Sequence, residues 1–375
     1  MASPLPRFLA RNRYLVDSAV FRWQNHTLRG DFVLTLPIAL CFAIGIAVGH
    51  PAAGMIAAGG AMNTGFGQKQ TINESYLLPM IFVTFGMAFS GFLGVLLGHE
   101  NLLLVLVSAL LAFGYGMLTA RPSGYSWVGQ QCVITFLVAS AFPASLNAAI
   151  DRGLLLFSGG AIQLVMSAAL LHVFHDLRER LFQLARYVRD EQSALRAALF
   201  ETAESVRQRR FVNSALPYSL RLAVTIALAT EIYRRLHYPS GYWIPMTALL
   251  VLKPGLTDTV SRAIARVLGT MCGAIIVSFS LSHMHPSPIL LAAFAVLFAW
   301  LSYGLLNVNY ALFSAAITGY IVFLLSLNVI PGPVLAERRT FCTAVGGAIA
   351  LVVRIGVISY KRRHWRRAET ASLAH

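Results

Sequence analysis

Long apolar runs separated by short polar segments dominate this 375-residue chain. A run that is apolar on every side is typical of a helix surrounded by lipid, and about 20 residues are needed to cross the hydrocarbon core. The pattern predicts an all-α integral membrane protein with about twelve transmembrane helices. The second and eighth runs are short, so we expect them to be broken or re-entrant and buried by protein. The predicted spans are 32–48, 52–66, 77–97, 101–118, 127–142, 153–173, 215–232, 242–253, 263–281, 287–304, 309–328 and 339–358.

Composition supports a membrane setting. Hydrophobic residues make up 57% of the chain and charged residues 12%, against about 25% charged in soluble domains. The net charge of +15 would suit a nucleic-acid partner, but the basic residues gather beside apolar runs, as Arg207, Arg209 and Arg210 do before the seventh. We therefore expect a lipid bilayer as the partner and no nucleic acid.

The distribution of Lys and Arg predicts the orientation. With the N-terminus inside, cytoplasmic segments hold 23 of them and external loops five, which favours cytoplasmic N- and C-termini. Arg221 and Arg354 lie inside spans near predicted cytoplasmic ends, where we expect them to snorkel to the membrane surface. The first 31 residues are too polar for a cleavable signal peptide. The five basic residues counted in the predicted external loops are Arg152, Arg234, Arg235, Arg338 and Arg339.

A short sequence recurs between the two halves. Residues 159–165, GGAIQLV, return at 346–352 as GGAIALV, with six of seven positions identical at an offset of 187. At the same offset Arg152 falls on Arg339. Chance similarity of two Gly/Ala-rich helices is the alternative to duplication. Because six helices per half is an even number, duplication predicts two parallel six-helix repeats of the same orientation.

These patterns predict five segments. The linker carries leucines at helical spacing on one side, and an apolar stripe needs something to pack against. The apolar stripe of the linker could pack against the membrane surface, against another part of the protein, or against a second copy in a homodimer. The segments are a cytoplasmic N-terminal arm (1–31), a first six-helix half (32–173), a cytoplasmic helical linker (174–213), a second six-helix half (214–360) and a basic cytoplasmic tail (361–375).

The most informative stretch opens the second half. Lys253, Pro254 and Gly255 end the short eighth span at a turn. Arg262 and Arg266 follow, four residues apart and therefore on one helix face. A break, a turn and paired arginines predict a cationic cup at the cytoplasmic mouth, since guanidinium groups bind carboxylates through two hydrogen bonds. Anchoring at the membrane surface is the alternative role for both arginines.

Neighbouring residues complete the predicted site. Thr247 and Asp258 flank the turn and join Lys253, Arg262 and Arg266 as candidate substrate-binding residues. Small residues continue along the same helix and permit close helix packing. These packing candidates are Gly269, Thr270 and Gly273.

This stretch resembles the fusaric acid resistance protein family, which overlaps the aromatic acid exporters and is distantly similar to the plant aluminium-activated malate transporters. The shared pattern is Tyr-Trp-x-x-x-Thr, a Pro-Gly turn, and Arg-x-x-x-Arg-x-x-Gly-Thr-x-x-Gly. The resemblance implies a secondary transporter of the bacterial inner membrane that exports aromatic or other organic carboxylates. The matching residues are Tyr242, Trp243, Thr247, Arg262, Arg266, Gly269, Thr270 and Gly273.

The sequence departs from the family in two ways. The first half lacks paired arginines, since the corresponding helix reads LPMIFV at 78–83. This departure predicts one working site per chain. The linker is also shorter than the large cytoplasmic domain of many exporters of the family. A membrane-fusion subunit would be a further partner if efflux is tripartite.

No enzyme signature is present in the sequence: we find no His-Glu-x-x-His, Gly-x-Ser-x-Gly or Walker loop. We predict a protein that is not an enzyme, with no cofactor and no metal site, and interpret His283 and His285 as incidental. A passive anion channel and a non-transporting scaffold that acts through its linker are the alternatives. Asp258 and Glu231 are the candidates for proton coupling.

Overall fold

The computed structural model describes residues 13–170, 209–284, 286–327 and 332–373. These residues form short helical turns between Arg13 and Thr35, then twelve helices of nine or more residues, and they contain no β-strand. Most of the predicted linker, 174–208, lies outside the described residues. The helices are α1 Leu36–Ala47, α2 Pro51–Gly67, α3 Leu77–Leu97, α4 Asn101–Leu118, α5 Ser123–Ala139, α6 Leu146–Leu170, α7 Arg209–Leu236, α8 Trp243–Val251, α9 Leu256–His283, α10 Pro288–Leu305, α11 Tyr310–Ser326 and α12 Gly332–Leu373.

Seven of the described helices are long and apolar enough to cross a membrane, namely α3, α4, α6, α7, α9, α10 and α12. The segments Trp23–Asp31 and Val33–Ala47, bent by 55°, would add an eighth span if they cross together. With nine residues, α8 is about 13 Å long and too short to cross. The protein is therefore an all-α, multi-pass membrane protein.

The long helices turn apolar side chains outward. On α4, the side chains of Leu102, Leu106 and Leu110 are more than half exposed and recur every four residues, so they form a stripe that suits lipid. On the opposite face Ser108 is buried, and its hydroxyl donates to Thr230 of α7 at 3.3 Å. The inner face of α4 thus joins the first six helices to the last six.

Helix contacts follow the same order before and after the linker. In the first group α2 packs against α6, and α3 packs against α5 and α6. In the second group α8 packs against α12, and α9 packs against α11 and α12. The two groups meet where α4 packs against α7 and where α1 packs against α10.

Two glycines permit close helix contacts at corresponding places. A Cβ added to Gly159 of α6 would overlap the carbonyl oxygen of Ala57 in α2. One added to Gly346 of α12 would overlap the carbonyl oxygen of Ile244 in α8. Gly159 and Gly346 are 187 residues apart, as are Ala57 and Ile244. The backbones of both helix pairs touch where only glycine leaves room.

We expect Gly159→Ala to lower the melting temperature of the detergent-purified protein by several degrees, because overpacking a tight contact costs about 1–3 kcal/mol. Gly114→Ala on α4 is the matched control, since an added Cβ there meets nothing within 4 Å. Alanine favours a helix over glycine by about 0.5–1 kcal/mol, so the control should melt at the same temperature or higher. Equal melting of the two variants would contradict the close contact.

Pro245 lies near the start of α8, although proline inside a helix would remove a hydrogen-bond donor. It is the third residue of α8, which begins at Trp243. In the first turn of a helix the missing N–H has no partner to lose. Pro245 therefore helps to start α8 rather than breaking it.

Candidate functional site

Side chains from three helices hold the predicted turn between α8 and α9. The hydroxyl of Thr259 accepts the N–H of Lys253 at 3.0 Å and donates to the carbonyl of Gly255 at 2.7 Å. Arg354 of α12 donates to the carbonyl of Pro254 at 2.6 Å, and Arg221 of α7 reaches the same oxygen at 3.5 Å. Both arginines were expected to snorkel to the membrane surface, and each also contacts this turn.

Lys253 lies in the turn among other charges. Burial, and after it the positive charge of Arg262, lower the pKa of Lys253 to about 8, although Asp17 and Asp258 act in the opposite direction. Because this value is above neutral pH, the ammonium group stays mostly protonated there. Asp258 itself is exposed in the first turn of α9, beside Gly255.

Arg262 faces a small pocket at the predicted cytoplasmic end. The pocket has a volume of about 370 Å³ and lies between the N-terminal arm, the start of α9 and the turn before α11. The guanidinium carbon lies 3.8 Å from the centre of the Tyr310 ring. One terminal nitrogen lies 3.9 Å from a carboxylate oxygen of Asp17 in the arm. The N-terminal arm thus contributes the carboxylate of Asp17 to this pocket at the cytoplasmic mouth. The sequence pattern did not indicate this contribution.

Arg266 points away from this pocket and into the protein. Its side chain is buried, at 3% exposure, and its Nε has no hydrogen-bond partner among the described residues. Arg262 and Arg266 therefore share a helix face, as expected, but do not share one cup. One turn of α9 separates a solvated cation from a buried one.

Arg339 is the unexpected neighbour of Arg266. It was expected in an external loop, but it lies in α12 and is 1% exposed. Arg266, Tyr242 and Tyr310 all lie within electrostatic range of its guanidinium group. The prediction was wrong because α12 begins well before the predicted span. Pro333, favoured in a first helical turn, was the sequence signal for that start.

The guanidinium group of Arg339 is only partly satisfied. Its Nε donates to the hydroxyl of Thr318 at 3.3 Å, whereas both terminal nitrogens lack a partner among the described residues. The guanidinium carbon lies 5.1 Å from the centre of the Trp243 ring. Tyr242 and Trp243 are both buried inside the protein. Trp243 provides an aromatic wall beside the cation.

Buried hydroxyl groups on three helices also lack hydrogen-bond partners among the described residues. They belong to Thr247 of α8, Thr270 of α9 and Ser314 of α11. The elements α8, α9, α11 and α12 thus bring two cations and several unpaired hydroxyls into one region. Such groups are costly to bury without a partner, and ionisable groups inside a membrane protein are usually functional.

No described acidic residue forms an ion pair with Arg266 or Arg339; the described ion pairs lie at Asp31, Glu231 and Asp17. Glu231, one candidate for proton coupling, is paired with Arg235 at 2.6 Å near the predicted external end. Among the described residues no group of three potential metal ligands occurs. The buried region therefore carries a net positive charge that an anion would balance.

The glycines of the predicted packing motif face α11. An added Cβ at Gly269 would overlap the carbonyl oxygen of Ala311, and one at Gly273 would overlap that of Ala315. These contacts bring α9 close enough to α11 for the side chains of Thr270 and Ser314 to be buried together at 0% exposure. The small residues thus set the width of the region around Arg266.

Comparison with known proteins finds a similar protein family for most of the second half. Residues 222–353, which run from α7 into α12, match the family described as fusaric acid resistance protein-like. Residues 222–353 are similar to this family. This confirms the resemblance inferred from the motif, and Arg262, Arg266 and Arg339 all lie in the fusaric acid resistance protein-like segment.

Three bacterial relatives of this chain carry no assigned activity in their names. An uncharacterized protein of Synechocystis sp. is 31% identical over 137 residues, which cover 36% of this chain and 18% of that protein. The uncharacterized protein YhfK of Escherichia coli is 32% identical over 138 residues, or 37% of this chain and 20% of its own. An uncharacterized protein of Neisseria gonorrhoeae is 34% identical over 86 residues, covering 22% and 21%. The chain spans about a fifth of the length of these relatives. No solved structure matches it.

Proposed function

We propose that this protein is a secondary transporter of a bacterial inner membrane that exports organic anions, with aromatic carboxylates as the substrate class. One observation carries the proposal: Arg266 and Arg339 are buried together, with guanidinium nitrogens that have no partner among the described residues. A carboxylate would accept charge-assisted hydrogen bonds from these groups. The similarity to a family named for resistance to fusaric acid supports the same substrate class.

The placement of the cations supports a route for the anion. Arg262 lies at the mouth, Arg266 lies about 6 Å deeper along α9, and Arg339 lies in electrostatic range beyond it. Aromatic rings accompany this series: Tyr310 stacks on Arg262 and Trp243 lies beside Arg339. An anion with an aromatic body would meet a cation and a ring at successive steps.

The proposal includes the orientation and the repeat. The charge bias supports cytoplasmic termini. The recurring helix contacts and the two glycine contacts at an offset of 187 support two parallel six-helix halves. With a parallel repeat, Arg152 occupies in α6 the place that Arg339 occupies in α12.

The test is flux of 4-hydroxybenzoate in proteoliposomes that contain the purified protein. We expect flux above that of protein-free liposomes, with accumulation against the substrate gradient when a proton gradient is imposed. Flux that only follows the substrate gradient would favour the passive anion channel. No flux of this or other aromatic carboxylates, with the protein folded, would refute transport and favour the scaffold.

A further inference from the structure

A second and larger cavity lies between the two halves, at the predicted external end. Its volume is about 730 Å³, and it is lined by α2, the first residues of α4, the end of α5, α6, the chain from the end of α7 to Tyr242, the end of α11 and the start of α12. This size falls within the range of small-molecule sites. It is separate from the mouth pocket beside Arg262, which lies at the opposite ends of the helices.

Apolar and aromatic side chains form most of the cavity wall, including Met55, Ile134, Phe142 and Tyr242. The rings of Phe142 and Tyr242 lie 6.0 Å apart between their centres, with planes inclined by 56°. Phe142 belongs to the first half of the chain and Tyr242 to the second. The cavity therefore offers two aromatic rings, one from each half, to whatever it holds.

The cavity also has cationic groups but no described acidic residue in its wall. Arg234 is already engaged, since its Nε donates to the side-chain oxygen of Asn101 at 2.5 Å. Arg152 is half-buried with its guanidinium carbon 4.7 Å from the centre of the Phe142 ring, and among the described residues it forms no ion pair. With no ion pair in the described part of the chain, its guanidinium group could bind an anion in the cavity.

Tyr242 connects this cavity to the buried arginines. Its side chain lines the cavity and lies within electrostatic range of both Arg152 and Arg339. The side chain of Tyr242 would thus lie between an anion bound at Arg152 and the buried Arg339 of the second half.

We propose that this cavity is an anion-binding site for an aromatic carboxylate, with Arg152 binding the carboxylate and Phe142 and Tyr242 contacting the ring. The proposal rests on the proposed transport function and adds an outer site to it. The guanidinium group binds a carboxylate through two hydrogen bonds, while the apolar wall covers the aromatic body. A neutral amide of the same shape would lose the charge-assisted contact.

Protection of a cysteine in the cavity tests the site directly. The four native cysteines are replaced by alanine, and Ala141, which lines the cavity, is changed to cysteine. Labelling by a charged maleimide is measured on the purified protein at increasing 4-hydroxybenzoate. We expect 4-hydroxybenzoate to slow labelling. In Arg152→Gln, half-protection should need at least about a tenfold higher concentration, and 4-hydroxybenzamide should protect poorly.

The controls separate this proposal from the transport proposal. Arg235→Gln removes an arginine from the same end whose side chain is 81% exposed, and it should leave protection unchanged. Arg152→Lys, with an unchanged melting temperature, should restore part of the protection because it keeps the charge. Protection that is absent, or equal in the parent and Arg152→Gln, overturns the cavity site even if 4-hydroxybenzoate is transported. Protection that depends on Arg152 supports the site even if flux is absent.

Discussion

Replacing Arg266 with glutamine should reduce the transport of aromatic carboxylates at least about tenfold, with normal amounts of protein in the membrane. Arg266 is 3% exposed and has an unpaired Nε, so a bound carboxylate would be held away from water. Each charge-assisted hydrogen bond contributes about 1.5–3 kcal/mol, and 1.4 kcal/mol corresponds to a factor of ten in affinity. Arg266→Lys keeps the charge but removes the planar guanidinium group, which can donate two parallel hydrogen bonds to a carboxylate. This variant should therefore also impair transport.

Arg339→Gln should have an effect of the same size, because both cations face one region and Arg339 has two unpaired terminal nitrogens. Arg338→Gln is the matched control: it is the chain neighbour of Arg339 but partly exposed. The measurement is initial flux over a range of 4-hydroxybenzoate concentrations, normalised to reconstituted protein. If an Arg266→Gln, Arg339→Gln double variant transports normally, these arginines are not the anion site.

A purely structural role predicts a different pattern. If the two arginines only support the fold, the double variant should melt at a lower temperature, and flux per folded protein should stay normal. A buried cation without a partner instead destabilises the fold, so the proposal expects no loss of stability. Under the proposal, the double variant should be as stable as the parent or more stable, yet inactive. Measuring stability and flux on the same preparation therefore separates the two roles.

The features that the sequence predicted are those fixed by local chemistry. The turn at Lys253, Pro254 and Gly255 follows from the backbone limits of proline and glycine. The spacing of Arg262 and Arg266 placed them on one face of α9. Apolar runs predicted the existence of the long helices well, because the response to lipid depends mainly on composition over about 20 residues.

The features that were missed depend on tertiary packing. The spacing of residues predicts which face of a helix a residue occupies, but not how deeply the neighbouring helices bury it. The sequence therefore could not show that Arg266 is buried while Arg262 is partly exposed. Counting charges assigned Arg339 to a loop because that method treats every arginine near a span end alike. The contacts of Arg221 and Arg354 with the carbonyl of Pro254 join residues 33 and 100 positions apart, which no local pattern reveals.

The N-terminal arm is positioned to control access to the mouth. The amide of Asp17 donates to the hydroxyl of Ser261 on α9 at 2.9 Å, and the side chain of Asn309 donates to the carbonyls of Ser18 and Val20. These contacts hold the carboxylate of Asp17 3.9 Å from Arg262, with both side chains about one-third exposed. A carboxylate of the chain thus occupies the place where we expect an incoming carboxylate to meet Arg262.

Asp17→Asn and Arg262→Gln should therefore shift the apparent affinity for 4-hydroxybenzoate in opposite directions. Asparagine keeps the size of Asp17 and its backbone bond to Ser261 but removes the competing charge. Since partly exposed ion pairs are worth about 0.2–1 kcal/mol, Asp17→Asn should lower the half-saturating concentration by up to about fivefold. Arg262→Gln should raise it by several-fold and leave the maximal rate nearly unchanged, because Arg262 acts at entry and Arg266 beyond it. In the double variant the benefit of Asp17→Asn should vanish, since no guanidinium group remains for the carboxylate to occupy. Independent, additive effects of the two changes on flux from the predicted cytoplasmic side would show that the arm does not compete with substrate.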